Sequence, residues 1–318
     1  MRMTEIAVLG AGIMGHGIAL VFGLGGHKVR LTDSRPETLA KAPALMASAL
    51  ETLREAGEVD ASWTAEKLAA AVRCCATLAE TAHGAEVVVE AITELPEVKR
   101  ALFAELDPLL GNDTILASNT SYLDVFPLVP ARRRRQALIA HWYTPPYVVD
   151  LVDIVPGPQT DPAFVERMRA LIEGMGQVPI VLKKFISGYI ANRIQSAITL
   201  EAFKLLDEGY ASAREIDDAI IHGLSLRIPI LGHLAKADFT GIELVQNALA
   251  NRTYDPPAPT GRSQSVDSLV EKGRTGVMAG KGFFDWGGRT PEDLFRDRDR
   301  RLLALKKALR AIGPLTGE

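Results

Sequence analysis

Two groups of residues in this sequence have the types and spacing for chemistry. His141 and Asp153 lie at either side of a proline-bent, otherwise apolar run, AHWYTPPYVVDLVDIVP (140–156). An imidazole exchanges a proton near neutral pH, and a carboxylate behind it fixes the tautomer and steadies the imidazolium. A lone histidine beside aromatic residues reads equally well as a satisfied core residue, so the pair needs context. The second group is VLGAGIMGHGIA, with Gly10, Gly12 and Gly15 in GxGxxG spacing and Ile13 and Met14 completing the turn. Gly10 permits a tight turn, Gly12 lets backbone approach a pyrophosphate, and Gly15 lets the following helix pack against its strand. The free N–H groups at the start of that helix face an anion.

These residues require particular elements to hold them. A β-branched run at Ile6–Leu9 precedes the glycine turn, a helix follows it, and a second strand (Lys28–Leu31) ends at Asp33. This is a β-α-β unit with a carboxylate at the tip of its second strand, where it accepts hydrogen bonds from adenosine ribose hydroxyls. A 2′-phosphate would be repelled there, so Asp33 predicts NAD, with Arg35 the neighbour that would admit NADP. Three more apolar runs, AEVVVEAI (85–92), TILASN (114–119) and ALIAHW (137–142), have the composition of parallel strands covered on both faces. Ligands bind at the carboxyl ends of such strands. Glu90, Glu94, Ser118, Asn119, Ser121 and His141 all fall there. Each alone reads as a turn former or helix cap; together at one sheet edge they point to a site.

Beyond about Ser187 the pattern changes. YIANRIQSAITLEAFKLLDEG repeats apolar residues at helical spacing and stops at Gly209, and a second helix begins near SAREIDDAIIHGL. The segment 254–265 is a loop on its Pro and Gly content. The expected fold class is therefore α/β: an N-terminal Rossmann domain over 1–186, with a doubly wound, mostly parallel sheet, then an all-α domain over 187–318.

Composition narrows the partners. The chain has 318 residues, is 47% hydrophobic and carries a net charge of −3, which suits a soluble globular protein of about two domains. That balance does not favour nucleic acid, and no apolar run is long enough to span a bilayer. The opening MRMTE leaves no room for a signal peptide ahead of the first strand, so a cytoplasmic location is expected. Cys74 and Cys75 are adjacent and make no staple. The six histidines are scattered, without the spacing of a zinc site, and no metal is expected. Four arginines at 132–135 read most simply as a solvated turn, with no interleaved aromatics to stack bases.

VLGAGIMGHGIA, VVVEAITE, ASNTSYL, HWYTPPYVVDLVDIVPG, SGYIANRIQ and GKGFFDW together resemble the 3-hydroxyacyl-CoA dehydrogenase superfamily over nearly the whole chain. The resemblance implies a Rossmann domain, a helical domain that dimerises, and hydride transfer between a secondary alcohol and NAD. It places the catalytic base on His141 and the base's orienting carboxylate on Asp153. Ser121 and Asn192 fall on the groups that bind the substrate oxygen; Glu94, Lys99 and Asn119 fall beside the nicotinamide ribose. Where the family has glutamate, Asp153 is shorter by about 1.3 Å of reach, so its strand must sit closer or a water must intervene. Thr144 stands where the family usually has Asn, and Ser187 where it often has Pro.

The substrate class divides on charge. Coenzyme A carries phosphates and needs cations, yet segment 36–58 sets only Lys41 and Arg54 against Glu37, Glu51, Glu55 and Glu58. HGLSLRIPILG (222–232) resembles instead the segment of gulonate and carnitine dehydrogenases, in which an arginine, here Arg227, could hold a substrate carboxylate. As a local feature Arg227 could also cap a helix C-terminus. A free 3-hydroxy acid is expected, with a 3-hydroxyacyl-CoA as the alternative. A non-enzymatic dinucleotide-binding protein is the reading from a different class, and the presence of Ser121, His141 and Asn192 argues against it.

Overall fold

A computed structural model describes residues 2–315, which form two compact units divided between Ile190 and Ala191. The first unit has strands β1 (Glu5–Leu9), β2 (Lys28–Thr32), β3 (Val72–Cys74), β4 (Val87–Glu90), β5 (Ile115–Ser118), β6 (Ala137–Trp142), β7 (Leu151–Pro156) and β8 (Val178–Val181). Its helices are α1 (Gly15–Leu24), α2 (Pro36–Glu55), α3 (Ala65–Ala71), α4 (Leu78–Ala82), α5 (Pro96–Leu106) and α6 (Pro162–Gly174). The strands make one sheet in the order β3-β2-β1-β4-β5-β6-β7-β8. From β3 to β6 all pairs are parallel, so the direction of winding reverses between β1 and β4, where doubly wound sheets bind ligands.

Strands β4, β5 and β6 are buried along their whole length, which explains why the sequence shows unbroken apolar runs there. On one face Leu9, Val88, Leu116 and Ile139 pack with Phe103 and Leu106 of α5. Trp142 meets Phe22 of α1 edge-on at 5.7 Å. Each fully buried side chain of this size contributes about 1.5–3 kcal/mol, and the sheet edge that carries the site rests on this core.

The run 140–156 is two antiparallel strands with a loop between them. Strand β7 turns back beside β6 and sets His141 directly opposite Asp153. The arginine run is not simply solvated. Arg133 is buried, and its guanidinium donates to the carbonyls of Asp107, Leu110 and Gly111 just after α5, while Arg132 pairs with the Asp107 carboxylate. Carbonyls left over at a helix end need donors, and a five-donor planar fork supplies several at once.

In the second unit the helices are α7 (Ala191–Asp207), α8 (Ala213–Asp218), α9 (Ile228–Leu231), α10 (Leu234–Thr240), α11 (Ile242–Ala250), α12 (Gln264–Glu271) and α13 (Pro291–Ile312). A capping box between Ser212 and Glu215 opens α8, which runs on into a π-helical turn, Ala219–Leu224. The loop expected at 254–265 is irregular only to Ser263, whose side chain caps α12. Among the described residues no helix is long and apolar enough to cross a membrane.

The units divide four residues beyond the expected position 186, for a reason visible in the hydrogen bonds. Ser187 Oγ donates to the Tyr122 carbonyl at 2.9 Å, Gly188 N to Ser121 at 3.2 Å and the Tyr189 hydroxyl to Thr120 at 2.6 Å. These three residues belong to the first unit because they clasp the loop after β5. A proline at 187, as in the family pattern, has no hydroxyl for the first of these bonds.

Candidate active site

The glycine turn lies between β1 and α1. Gly10 has φ +98°, and a Cβ there would meet the Ala91 carbonyl oxygen at 2.5 Å; a Cβ on Gly15 would fall 1.6 Å from the Gly10 oxygen. Both positions are fixed as glycine by backbone alone. A Cβ on Gly12, by contrast, would point into open space, the direction from which a pyrophosphate must approach. Asp33, at the end of β2, accepts from Ala11 N at 2.8 Å and Arg35 N at 2.9 Å, so its carboxylate is oriented while keeping lone pairs for a diol. These residues fit NAD. Ile13 is exposed on the turn, and Met14 Sδ accepts from the Thr144 hydroxyl at 3.0 Å.

A polar network follows at the ends of β4 and β5. Glu90 and Ser118 are turned inward rather than toward a ligand: Ser118 donates to Glu90 Oε2, and Lys99 Nζ lies 2.5 Å from Glu90 Oε1 and 3.2 Å from Glu94 Oε2. Lys99, expected beside the cofactor, is buried between two carboxylates; removing one partner of such a pair leaves an expensive charge. Glu94 Oε1 accepts the Thr120 hydroxyl and the N–H groups of Ser121 (2.9 Å) and Tyr122 (3.3 Å). Burial disfavours the Glu94 charge, but the Thr120 hydroxyl, the Lys99 ammonium and those N–H groups overcome it and hold the carboxyl below its ordinary range. Asn119 Oδ1 accepts from Trp142 N at 2.9 Å, which ties the residue to the end of β6 and leaves its amide N–H groups to donate.

Held by Glu94 on one side and the 187–189 clasp on the other, Ser121 presents Oγ 3.1 Å from His141 Nε2. That is the geometry of a hydroxyl and a base sharing one proton position. On its other side His141 is not hydrogen-bonded to Asp153: Nδ1 and Oδ2 are 3.9 Å apart, so the strands do not approach enough to make up for the shorter side chain. The imidazole packs against Tyr143 at 4.5 Å and Tyr189 at 5.0 Å. Burial, then the carboxylates of Glu94 and Asp153, pushes the Tyr189 phenol up, keeping it a neutral donor to Thr120.

Thr120, Tyr143 and Tyr189 were not legible as site residues. A hydroxyl two residues after His141 was the available signal for Tyr143; the positive φ of Tyr189, 50°, has none in its residue type. In the second unit, Asn192 lies in the first turn of α7, and Arg227 is exposed just before α9 with Nε donating to the Gly223 carbonyl at 3.1 Å. The capping role open to Arg227 is thus realised through one of its five donors.

A glycine turn before α1, a carboxylate ending β2 and a base–hydroxyl pair at the same carboxyl edge describe a dinucleotide-binding oxidoreductase of Rossmann type. The chain belongs to the 3-hydroxyacyl-CoA dehydrogenase family: the family's NAD binding domain matches residues 5–185 and its C-terminal domain residues 188–286. Lambda-crystallin of Oryctolagus cuniculus is 33% identical over 231 residues, 72% of each chain. The 5-formyl-3-hydroxy-2-methylpyridine 4-carboxylate 5-dehydrogenase of Mesorhizobium japonicum is 27% identical over 313 residues, covering 96% of this chain and 98% of that one. A crystal structure of a dehydrogenase for that pyridine carboxylic acid, described as an NAD+ dependent dismutase, matches with a TM-score of 0.87 at 25% identity, over 97% of this chain and 99% of that one.

Proposed function

We propose that this protein oxidises the secondary alcohol of a small 3-hydroxy acid, or reduces the corresponding ketone, with NAD. The observation that carries the reading is the 3.1 Å contact between Ser121 Oγ and His141 Nε2 at the edge of the sheet that bears the glycine turn. Ser121 holds the substrate oxygen, and His141 Nε2 takes the hydroxyl proton as the carbon–oxygen double bond forms. Asp153 stabilises the imidazolium. When bound, NAD supplies the acceptor for the hydride that leaves the same carbon. Glu94 keeps Ser121 in place, so the hydroxyl is ordered before substrate arrives.

A free carboxylate on the substrate is supported by three observations. Segment 36–58 is acidic, and one of its two cations, Arg54, is already paired with Glu51 at 2.9 Å. The Mesorhizobium relative is named for a substrate that is itself a carboxylate. Arg227 has a planar fork suited to a carboxylate and, among the described residues, only Nε engaged. NADH absorbance with NAD and a panel of 3-hydroxy acids and 3-hydroxyacyl thioesters tests the class directly. Turnover is expected with a free acid, and Arg227→Ala should lower kcat/KM for it by about 2–4 kcal/mol. Strong turnover of a simple 3-hydroxyacyl-CoA, untouched by that substitution, would assign the thioester instead.

We also propose a homodimer formed through the second unit, whose helices carry exposed apolar residues that include Ile194 and Ile198 one turn apart on α7.

A further inference from the structure

Asp153 has two buried oxygens and no contact with solvent. Its Oδ2 accepts the Tyr143 hydroxyl at 2.6 Å, whereas its Oδ1 and the Nδ1 of His141 are both buried without a hydrogen-bond partner among the described residues. A buried carboxylate stays ionised only where hydrogen bonds or a counter-charge compensate the lost water. Among the described residues, the Tyr143 hydroxyl supplies the hydrogen bond that Asp153 accepts. The same tyrosine ring stands edge-on to the imidazole, interplanar angle 82°, so one residue touches both members of the pair.

We propose that Tyr143 is a positioning residue for the reaction: its hydroxyl holds the Asp153 carboxylate aimed at the Nδ1 side of His141, so that tyrosine and aspartate together replace a longer glutamate. A hydrogen bond is lost by 3.9 Å, but charge–charge attraction falls only as the inverse of distance. Asp153 therefore acts on His141 as a nearby charge, and Tyr143 holds that charge in place. The groups facing the imidazole are Asp153 on β7, Tyr143 after β6, Ser121 after β5 and Tyr189; of these Asp153 alone is a carboxylate. Glu94 lies one residue further out, through Ser121 N.

This inference rests on His141 as the base, so its test needs a reading that does not require turnover. Tyr143→Phe keeps the ring and removes the hydroxyl. In substrate-free protein the His141 imidazole, followed by NMR titration of its ring protons, should lose its affinity for a proton at lower pH than in the wild type, because the counter-charge is weakened. Turnover should fall about tenfold in kcat with KM and NADH affinity unchanged. Asp153→Glu added to Tyr143→Phe should restore most of the rate, since glutamate reaches Nδ1 unaided; a tyrosine that served only packing gives no such rescue. An imidazole that titrates as in the wild type or at higher pH in Tyr143→Phe, or a double variant no faster than the single one, overturns the proposal. Should His141→Asn turn over normally, the base assignment fails, while the titration of His141 still reports whether Tyr143 governs Asp153. Thermal melting and NADH fluorescence on each variant establish that the comparison is made on folded protein, and Asp153→Asn, which removes the same charge, should shift the imidazole in the same direction.

Discussion

In the first unit, strands β4 to β6 bury side chains on both faces, and even charged groups such as Glu90, Lys99 and Arg133 are buried with partners. Beyond Ile190, among the described residues, the buried side chains are Ser263, Leu294, Asp299 and Leu303. Helices α7 to α12 have none except the cap residue Ser263 before α12, although their sequences are amphipathic; Ile194 is 56% exposed and Leu249 75%. A helix stripe of this kind gains stability only when something covers it. The difference teaches that the first unit carries its own core, while the second leaves most of its apolar helix faces exposed.

The sharpest way to separate the two is chemical. His141→Ala should lower kcat by roughly 10² to 10⁴ while NADH affinity, read by fluorescence titration, stays near the wild-type value, since general-base catalysis has about that worth. A variant retaining most of its turnover would take His141 out of the mechanism. Next in size comes the exposed stripe. Ile198→Asp places a charge where the dimer would bury it, a change of several kcal/mol, so sedimentation equilibrium should show monomer with NADH binding intact. An unchanged mass would mean that another surface makes the assembly, or that none does. The smallest effect concerns Asp33 alone: kcat/KM should favour NAD over NADP by at least tenfold, about 1.4 kcal/mol. Equal efficiencies in steady-state kinetics would show that Arg35, whose Nε lies 3.7 Å from the Asp33 carboxylate, turns to meet a 2′-phosphate.

The parts of this molecule readable from sequence are those where backbone geometry restricts residue type. Gly10 and Gly15 sit where a Cβ has no room, and the strands β4 to β6 are apolar because both faces are covered. Asp33 and His141 follow once the strand ends are known. Less was readable where a residue's role depends on a partner far along the chain. The resemblance alone puts Lys99 beside the nicotinamide ribose; that Glu90 and Glu94 enclose its ammonium could not be seen in the sequence. Arg133 looked solvated because the carbonyls it serves, at 107, 110 and 111, belong to a different element. The reach of Asp153 could be computed from its length, but not the answer to that shortfall, which lies in Tyr143 across the loop.

The clasp on residues 120–122 has a consequence in entropy. Three successive carbonyls are bonded by Tyr189, Gly188 and Ser187, and two of the three N–H groups by Glu94. Fixing the backbone of a residue costs about 1–2 kcal/mol, so ordering this loop costs roughly 3–6 kcal/mol, and that cost is met once, when the first unit folds. On the proposed reading, a substrate arriving at Ser121 would meet a loop already ordered, and its binding energy would not be drawn down to freeze one. The backbone that carries the Ser121 hydroxyl is thereby held in a single place.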